Sequence, residues 1–477
     1  MRYTICVLLA LLPLVFTSCK EEQPSEPETS GNGGSSSRVT ITPAGGELRT
    51  EGFALVVPPG AFATTVQLQL TIQPEEKPFG TNSVSGTYGV DGFPAQFSSP
   101  VQVYIKHDGR AGTGDFLAIG GSSTYSSVEG IDIMYDLAPA TDSAGYLVGH
   151  IEPFVAPLGR GKLTGPRNGT FNLLLNAITG YELSGAEEQY YKFYFPKELE
   201  AGTAELIRER FREAMTWLKP ALSHDDLPPY QKKVPVLLKS KGAKTSECAG
   251  WVYDAEGIGE AIWINRDRLS DLRSSEMIMQ LGESIFFSLA FHYVHKNPNP
   301  TFSNFGMNMW FHFACATWTN ELFSPGTVPR RFPGHEDAPF YGLMPPPESY
   351  RYDRLHGYGM SALVHFLVKT ASVRVIKDIY DDLSTGVSLL NAIASAAGQN
   401  IDIIWSYFLR SYLSGDTYKL DIGKLLQNNK GVFSIATEND SLRVFSEIYR
   451  HLSAKLFLVN LSFDPGNPSL AATTSLV

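Results

Sequence analysis

The run EMIMQLGESIFFSLAF, residues 276–291, decides how the second half of this chain is read. Met277, Ile278, Met279, Leu281, Ile285, Phe286, Phe287 and Leu289 would cover most of a helix's circumference, which predicts a helix buried on nearly every side. Glu276, Gln280, Glu283 or Ser284, and Ser288 fall at helical spacing and make one polar stripe along it. Polar groups on a buried helix must meet partners or a wet cleft, so the stripe is the first place to look for a site. Working outward, Trp310–Leu322 predicts a second apolar helix, and Val373–Leu383, Leu389–Ala397 and Ile401–Leu413 predict three more. Upstream, Thr203 is positioned to cap a helix whose apolar residues Ile207, Phe211, Ala214, Met215 and Leu218 recur at helical spacing until Pro220. Tyr190–Phe195, Val234–Leu238 and Ala261–Asn265 read as strands, so residues 170–430 form an α+β domain ending in a helical subdomain.

The first half obeys a different period. Phe53–Val57, Val66–Ile72 and Val101–Ile105 are short apolar runs, the last two strictly alternating, broken by corners such as Gly45-Gly46 and Pro58-Pro59-Gly60. Residues 40–159 therefore predict an all-β sandwich, and residues 160–169 a Gly-rich linker.

The whole chain has 477 residues, 43% of them hydrophobic and 18% charged, which fits several folded units rather than a disordered polymer. Its 39 basic and 49 acidic side chains leave a net charge of −10. That balance argues against a nucleic-acid partner, which demands clustered Lys and Arg. The 10 His and four Cys do not fall into the spacing of a structural zinc ribbon.

Residues 1–18 combine a basic start at Arg2, an apolar run from Ile5 to Phe16, and small residues before Cys19. The run is too short for a bilayer span of about 20 residues and has the form of a signal-peptide core. Phe16-Thr17-Ser18-Cys19 resembles the lipobox of bacterial lipoproteins, although Phe16 stands where Leu is usual. The resemblance implies that Cys19 becomes a diacylated N-terminus inserted in a membrane. Lys20 in place of Asp points to the outer membrane in the familiar sorting rule. Lys20-Glu21-Glu22 is similar to the acidic export tag of surface-exposed Gram-negative lipoproteins. Residues 19–39, rich in Glu, Pro, Ser and Gly, read as a flexible tether.

Gly45-Gly46, Leu55-Val56-Val57-Pro58-Pro59-Gly60-Ala61, Phe97 before Pro100, and Gly149-His150-Ile151-Glu152-Pro153-Phe154 resemble the sandwich domain shared by zonula-occludens, ankyrin and netrin-receptor proteins. That resemblance implies a spacer or interaction module without catalysis, and His107 and His150 stand isolated within it. The order of elements after residue 170 resembles the gluzincin (thermolysin-like) metallopeptidases. In that family, a His-Glu-x-x-His helix binds zinc and a second helix supplies the third ligand. Gly282-Glu283-Ser284-Ile285-Phe286 falls on the first motif and Trp310-Phe311-His312-Phe313-Ala314-Cys315-Ala316 on the second. The comparison keeps Glu283 at the base position, with Trp310 and Ala316, but puts Gly282, Phe286 and Phe313 at the metal positions. None of those three carries a donor atom, whereas a catalytic zinc takes three protein ligands and a water. Without the cation nothing brings that water's pKa down from 15.7 to about 7. The resemblance thus implies a degenerate peptidase, with no metal and no cofactor, in which Glu283 is vestigial.

Other residues invite attention. His292 and His295 lie three apart at the end of the first helix and read as a helix-end pair with surface roles. His312 and Glu321 follow on the second. His356 and Tyr358 fall roughly where related peptidases place a transition-state donor, although Gly357-Tyr358-Gly359 also reads as a turn entering a helix. The Pro-rich segment 323–353 carries Arg330, Arg331, Phe340, Tyr341, Tyr350 and Tyr352, residue types enriched in binding hot spots, and is the candidate binding loop. Cys248 and Cys315 are expected to be two separately buried thiols. Residues 431–477 return to strand character and either join an earlier sheet or begin a truncated module.

The expectation is a lipid-anchored, surface-exposed envelope protein whose peptidase-like domain binds a peptide, protein or glycan. Its rivals are a hydrolase with relocated ligands or one using Glu283, and a structural or adhesive spacer. Substituting Cys19→Ala is expected to shift the protein from the detergent phase to the aqueous phase in a cloud-point partition and to abolish labelling by radioactive palmitate.

Overall fold

Alternation along the first strands builds a sheet with one face turned inward. In the computed structural model this sheet has ten strands, all paired antiparallel, in the order β1-β4-β5-β11-β7-β9-β10-β6-β3-β2. Its members are β1 (Ser37–Ile41), β2 (Gly46–Thr50), β3 (Phe53–Val57), β4 (Val66–Gln73), β5 (Ser83–Pro94), β6 (Val101–Lys106), β7 (Asp115–Gly121), β9 (Met134–Ser143), β10 (Tyr146–Ile151) and β11 (Thr170–Ile178). The short β8 (Thr124–Ser126) is discussed below. The structure describes residues 37–419 except 95, 113, 122–123, 128–132, 154–169, 185–188, 231, 242–244, 255–258, 298–304, 306–307 and 344–349, together with the backbone of 431–435 and 457–461.

Two separate sheets were expected here, and one curled sheet is found. Its first and last strands, β1 and β2, are neighbours in sequence and are joined by the Thr42–Gly45 bridge, which brings the two ends together in a barrel-like wrap. The bend has a local cause: the pairing of β11 with β5 shifts register between Phe171 and Leu173 and again between Asn176 and Ile178. Such bulges turn a strand while its ladder continues. Leu48, Leu55, Leu68, Leu70, Val90, Val103, Ile105 and Leu147 fill the interior. The sheet also takes β11 from beyond residue 159, where the sandwich was expected to end. The linker expected at 160–169 and the tether at 19–39, apart from residues 37–39, lie outside the described residues.

A second sheet of six strands has the order β12-β13-β14-β16-β15-β8. It comprises β12 (Tyr181–Ser184), β13 (Tyr191–Pro196), β14 (Val234–Lys239), β15 (Ala249–Asp254) and β16 (Glu260–Asn265), with β8 on its edge. β13, β14 and β16 run parallel, and β12, β15 and β8 run antiparallel to their neighbours. Every residue of β14 and β16 is buried, as a strand covered on both faces requires. Val252, Ala261 and Trp263 point into the core of the ten-stranded sheet. Val236, Leu238, Ile262 and Ile264 point the other way, into the helices. The strand period of two thus joins the two regions through one sheet, and Ser36–Val477 cluster as one compact unit.

The helices follow their apolar periods closely: α1 (Ala201–Leu218), α2 (Ser275–His295), α3 (Met309–Trp318), α4 (Asn320–Phe323), α5 (Tyr350–Thr370), α6 (Arg374–Ser384), α7 (Leu389–Ala397) and α8 (Ile401–Leu413). Ser274 caps α2, its hydroxyl accepting from the Met277 amide at 3.1 Å. Thr203 does not cap α1, because the helix already begins at Ala201. Gly357-Tyr358-Gly359 is not an entry turn either but lies inside α5. A Cβ on Gly357 would come within 2.4 Å of the Trp310 carbonyl oxygen, and one on Gly359 within 2.1 Å of that of His335. These glycines let α3 and the 335 turn press against α5. At the far end of the chain, β17 (Gly431–Ile435) and β18 (Phe457–Leu461) pair in parallel.

Two histidines are enclosed in this core. Burial pushes the pKa values of His224 and His312 down to about 3, and both stay neutral in the folded state. Unfolded, each takes up its proton near its ordinary value, about 6.5. The stability they allow is therefore complete above that value and is lost as pH falls through it towards 3. Denaturant titrations at pH 7 and pH 5 are expected to show a loss of about 1.4 kcal/mol per pH unit for each imidazole, below its unfolded pKa.

Candidate functional site

Gln280, Glu283 and Ser284, in the polar stripe of α2, each meet partners. Gln280 Oε1 accepts from the backbone amides of Cys248 (2.6 Å) and Ala249 (3.2 Å), pinning α2 to β15, and its Nε2 donates to Glu276 at 3.1 Å. The Ser284 hydroxyl donates back to the Gln280 carbonyl at 2.8 Å.

Glu283 is buried, and both of its oxygens are engaged. Asn320 Nδ2, from the start of α4, donates to Oε1 at 2.9 Å, and Arg331 Nε donates to Oε2 at 3.0 Å. Arg331 reaches further: its Nη2 donates to Glu247 Oε2 at 2.9 Å and its Nη1 to the Tyr358 hydroxyl at 3.3 Å. Its guanidinium carbon stands 5.3 Å from the Tyr358 ring centre. Arg330 adds a 3.0 Å bond to the same Glu247 oxygen, and its backbone amide donates to Asn320 Oδ1 at 3.1 Å. Burial works against the Arg331 charge, but Glu283, Tyr358 and Glu247 outweigh it and raise its pKa above the ordinary arginine value. Burial likewise raises the pKa of the Tyr358 phenol, with Arg331 and Arg354 opposing. The cluster is a charge-compensated network built around Glu283, Arg331 and Glu247.

The three residues nominated as former metal positions have different surroundings. Gly282 packs against Phe323 so closely that a Cβ would lie 2.2 Å from the ring. The Phe286 ring meets Tyr380 edge-on at 5.9 Å. Phe313 meets Phe287 at 4.9 Å and Tyr358 at 5.8 Å. Successive residues on a helix are about 100° apart. The face of α2 that meets Arg331 and Phe313 is therefore that of Glu283 and Phe287, one step round from Gly282 and Phe286. Among the described residues, no group of three or more His, Cys, Asp or Glu side chains is arranged to hold a metal ion.

The other candidates are mostly interior. His292, expected near the surface, is only 1% exposed. It lies 2.6 Å from Glu260 Oε1, out of line for a hydrogen bond, and stacks on Tyr230 at 3.6 Å. His295 Nδ1 contacts the Phe291 carbonyl at 2.7 Å instead of sharing a partner with His292. His312 bonds the Tyr380 hydroxyl at 2.7 Å, and Glu321 bonds His365 at 2.6 Å. Cys248 and Cys315 are buried, free thiols.

The candidate binding loop divides. Arg330 and Arg331 are committed to the cluster just described, and Phe340 is buried against Tyr412, so these three are structural. Tyr341 is 51% exposed. It lines a cavity of about 480 Å³ together with Gly334, His335, Asp337, Ala338, Leu355 and His356. The side chains of Tyr350 and Tyr352 lie outside the described residues. Two elements of this site had no signal in the sequence: Asn320 and Glu247 are ordinary polar residues whose importance comes only from the residues they meet.

Comparison with known proteins gives distant similarity only. No family model matches the chain, and no curated protein matches it in sequence. Among solved structures, a functionally unknown conserved protein from Bacillus anthracis str. Ames is similar over 69% of this chain and 75% of its own, with 10% identity and a TM-score of 0.29. An aminopeptidase N family protein from Idiomarina loihiensis is similar over 75% of this chain and 74% of its own, with 10% identity and a TM-score of 0.27.

Removing one member of a buried ion cluster strands the others. Arg331→Ala is expected to lower the unfolding free energy by about 3–5 kcal/mol in urea denaturation, because Glu283 loses its compensating charge. Combining Arg331→Met with Glu283→Leu is expected to restore most of that loss.

Proposed function

We propose that this protein is a non-catalytic binding protein, held through a lipidated Cys19 on the outer membrane of a Gram-negative bacterium and facing outward, in which a peptidase-like framework has been turned to ligand recognition. The observation that carries this reading is the closure of Glu283. A general base needs a free oxygen within hydrogen-bond reach of the proton it removes. Here Asn320 takes one oxygen and Arg331 the other. The chemistry of Gly282, Phe286 and Phe313 supports the same conclusion, since neither hydrogen nor a benzyl group offers a lone pair to a cation.

Binding rather than pure spacing is supported by the loop, which leaves an exposed aromatic side chain, Tyr341, at the rim of a largely apolar cavity with a few polar groups. Concave sites of this kind, with a few convergent polar groups, are where small ligands and chain ends are recognised. The ligand is a peptide, a protein or a glycan presented outside the cell, and the acidic net charge speaks against nucleic acid. Membrane attachment is assigned to residues 1–19, and no single helix among the described residues is long and apolar enough to cross a bilayer.

Two measurements on the purified full-length protein test this reading: metal content by elemental analysis, and cleavage of a mixed peptide library. The expected outcome is substoichiometric zinc and no cleavage. Stoichiometric zinc together with peptide hydrolysis that disappears in Glu283→Ala would sink it.

A further inference from the structure

The cavity beside Tyr341 carries more specific chemistry than an undifferentiated binding surface. It lies between the turn 334–341 and α5, and its volume of about 480 Å³ falls within the range of small-ligand sites, about 300–1,000 Å³. Its aromatic wall is the half-exposed Tyr341 ring, oriented by a hydrogen bond from the phenol to Asp337 Oδ2 at 3.0 Å. Ala338 and Leu355 extend the apolar surface.

The polar side of the cavity is small and is formed by Asp337 and the rings of His335 and His356. Asp337 has two carboxyl oxygens, one of which receives the Tyr341 hydroxyl. His356 is 5% exposed, with its Nε2 enclosed in the wall. Burial lowers the His356 pKa to about 4, so the imidazole stays neutral at pH 7. Glu336 is not among the lining residues, and its Oε2 accepts from the Gly334 amide at 2.9 Å.

A ligand that complements these walls has a flat apolar face for the ring and several hydroxyl donors around its edge. We infer that the cavity lined by Tyr341, Asp337 and His356 is a carbohydrate-binding site, taking a neutral hexose unit of a glycan with its C–H face on Tyr341 and its hydroxyls on Asp337. This rests on the binding reading above and names its ligand class. A peptide amine or Lys side chain fits less well. An ammonium group brings three charged donors, and the cavity offers it one carboxylate, already shared with Tyr341. A sugar uses the ring face and the carboxylate together and brings no charge to be desolvated. A site built to hydrogen-bond hydroxyls also discriminates strongly against ligands lacking them.

The test is binding of the full-length protein in detergent to an array of glucose, mannose, galactose and N-acetylhexosamine oligomers, followed by titration calorimetry of the strongest. Tyr341→Ala removes the platform from an exposed position and is expected to weaken binding about tenfold or more, with an unchanged melting temperature. Tyr341→Phe keeps the ring and is expected to stay within about threefold of the parent. Asp337→Ala is expected to weaken binding comparably to Tyr341→Ala. If no oligomer binds, or if Tyr341→Ala binds as the parent does, the carbohydrate assignment is overturned. In that event, capture of a defined peptide by the same protein would leave the non-catalytic reading standing. Glu283-dependent peptide hydrolysis would remove both.

Discussion

Burying a guanidinium and two carboxylates strips three charges of water, and the arrangement survives only when each finds its counterpart in good geometry. Arg331 meets that condition with three bonded partners drawn from three separate stretches of chain: Glu247, Glu283 on α2 and Tyr358 on α5, while Arg330 shares the Glu247 oxygen. The consequence extends beyond electrostatics. The cluster ties the 330 loop to α2, α4 and α5, and so sets where the chain continues towards Tyr341 and the cavity.

The same compensation explains why a polar stripe persists on a helix buried all round. Gln280 serves the amides of Cys248 and Ala249, at the start of β15. Glu283 balances Arg331. An apolar residue at either position would leave groups with no partner, and an unmet buried donor costs about 1–3 kcal/mol. A polar stripe of this kind is a sign of structural duty as readily as of catalysis. Only the identity of its partners separates the two.

Packing of glycine against aromatic rings shapes the helical region. Gly282 admits Phe323, and Gly357 and Gly359 admit α3 and the 335 turn. These close approaches place Phe313 against Phe287 and Tyr358, and they leave His356 deep in the wall of the cavity. On the opposite face of the six-stranded sheet, Trp263 and Val252 enter the core of the curled sheet, so the helices rest on a support anchored from both sides.

Local order was plain from residue patterns. The periods of Leu389–Ala397 and Ile401–Leu413 match their helices to the residue, and Val66–Ile72 and Val101–Ile105 alternate as their strands do, because helix and strand repeats are written in neighbouring positions. The register shifts that accompany the curling put the extra residues in β5, opposite β11, and which strand pairs with which is not written in neighbouring positions. The partners of Glu283 lie 37 and 48 residues away, and many polar residues stand at comparable separations. The chain's own letters thus determined its periodic elements, its charge balance and the absence of donor atoms at residues 282, 286 and 313, because those are properties of single residues and their near neighbours. Which carboxylate a given arginine neutralises, and which histidines are enclosed, was decided only when distant segments packed together.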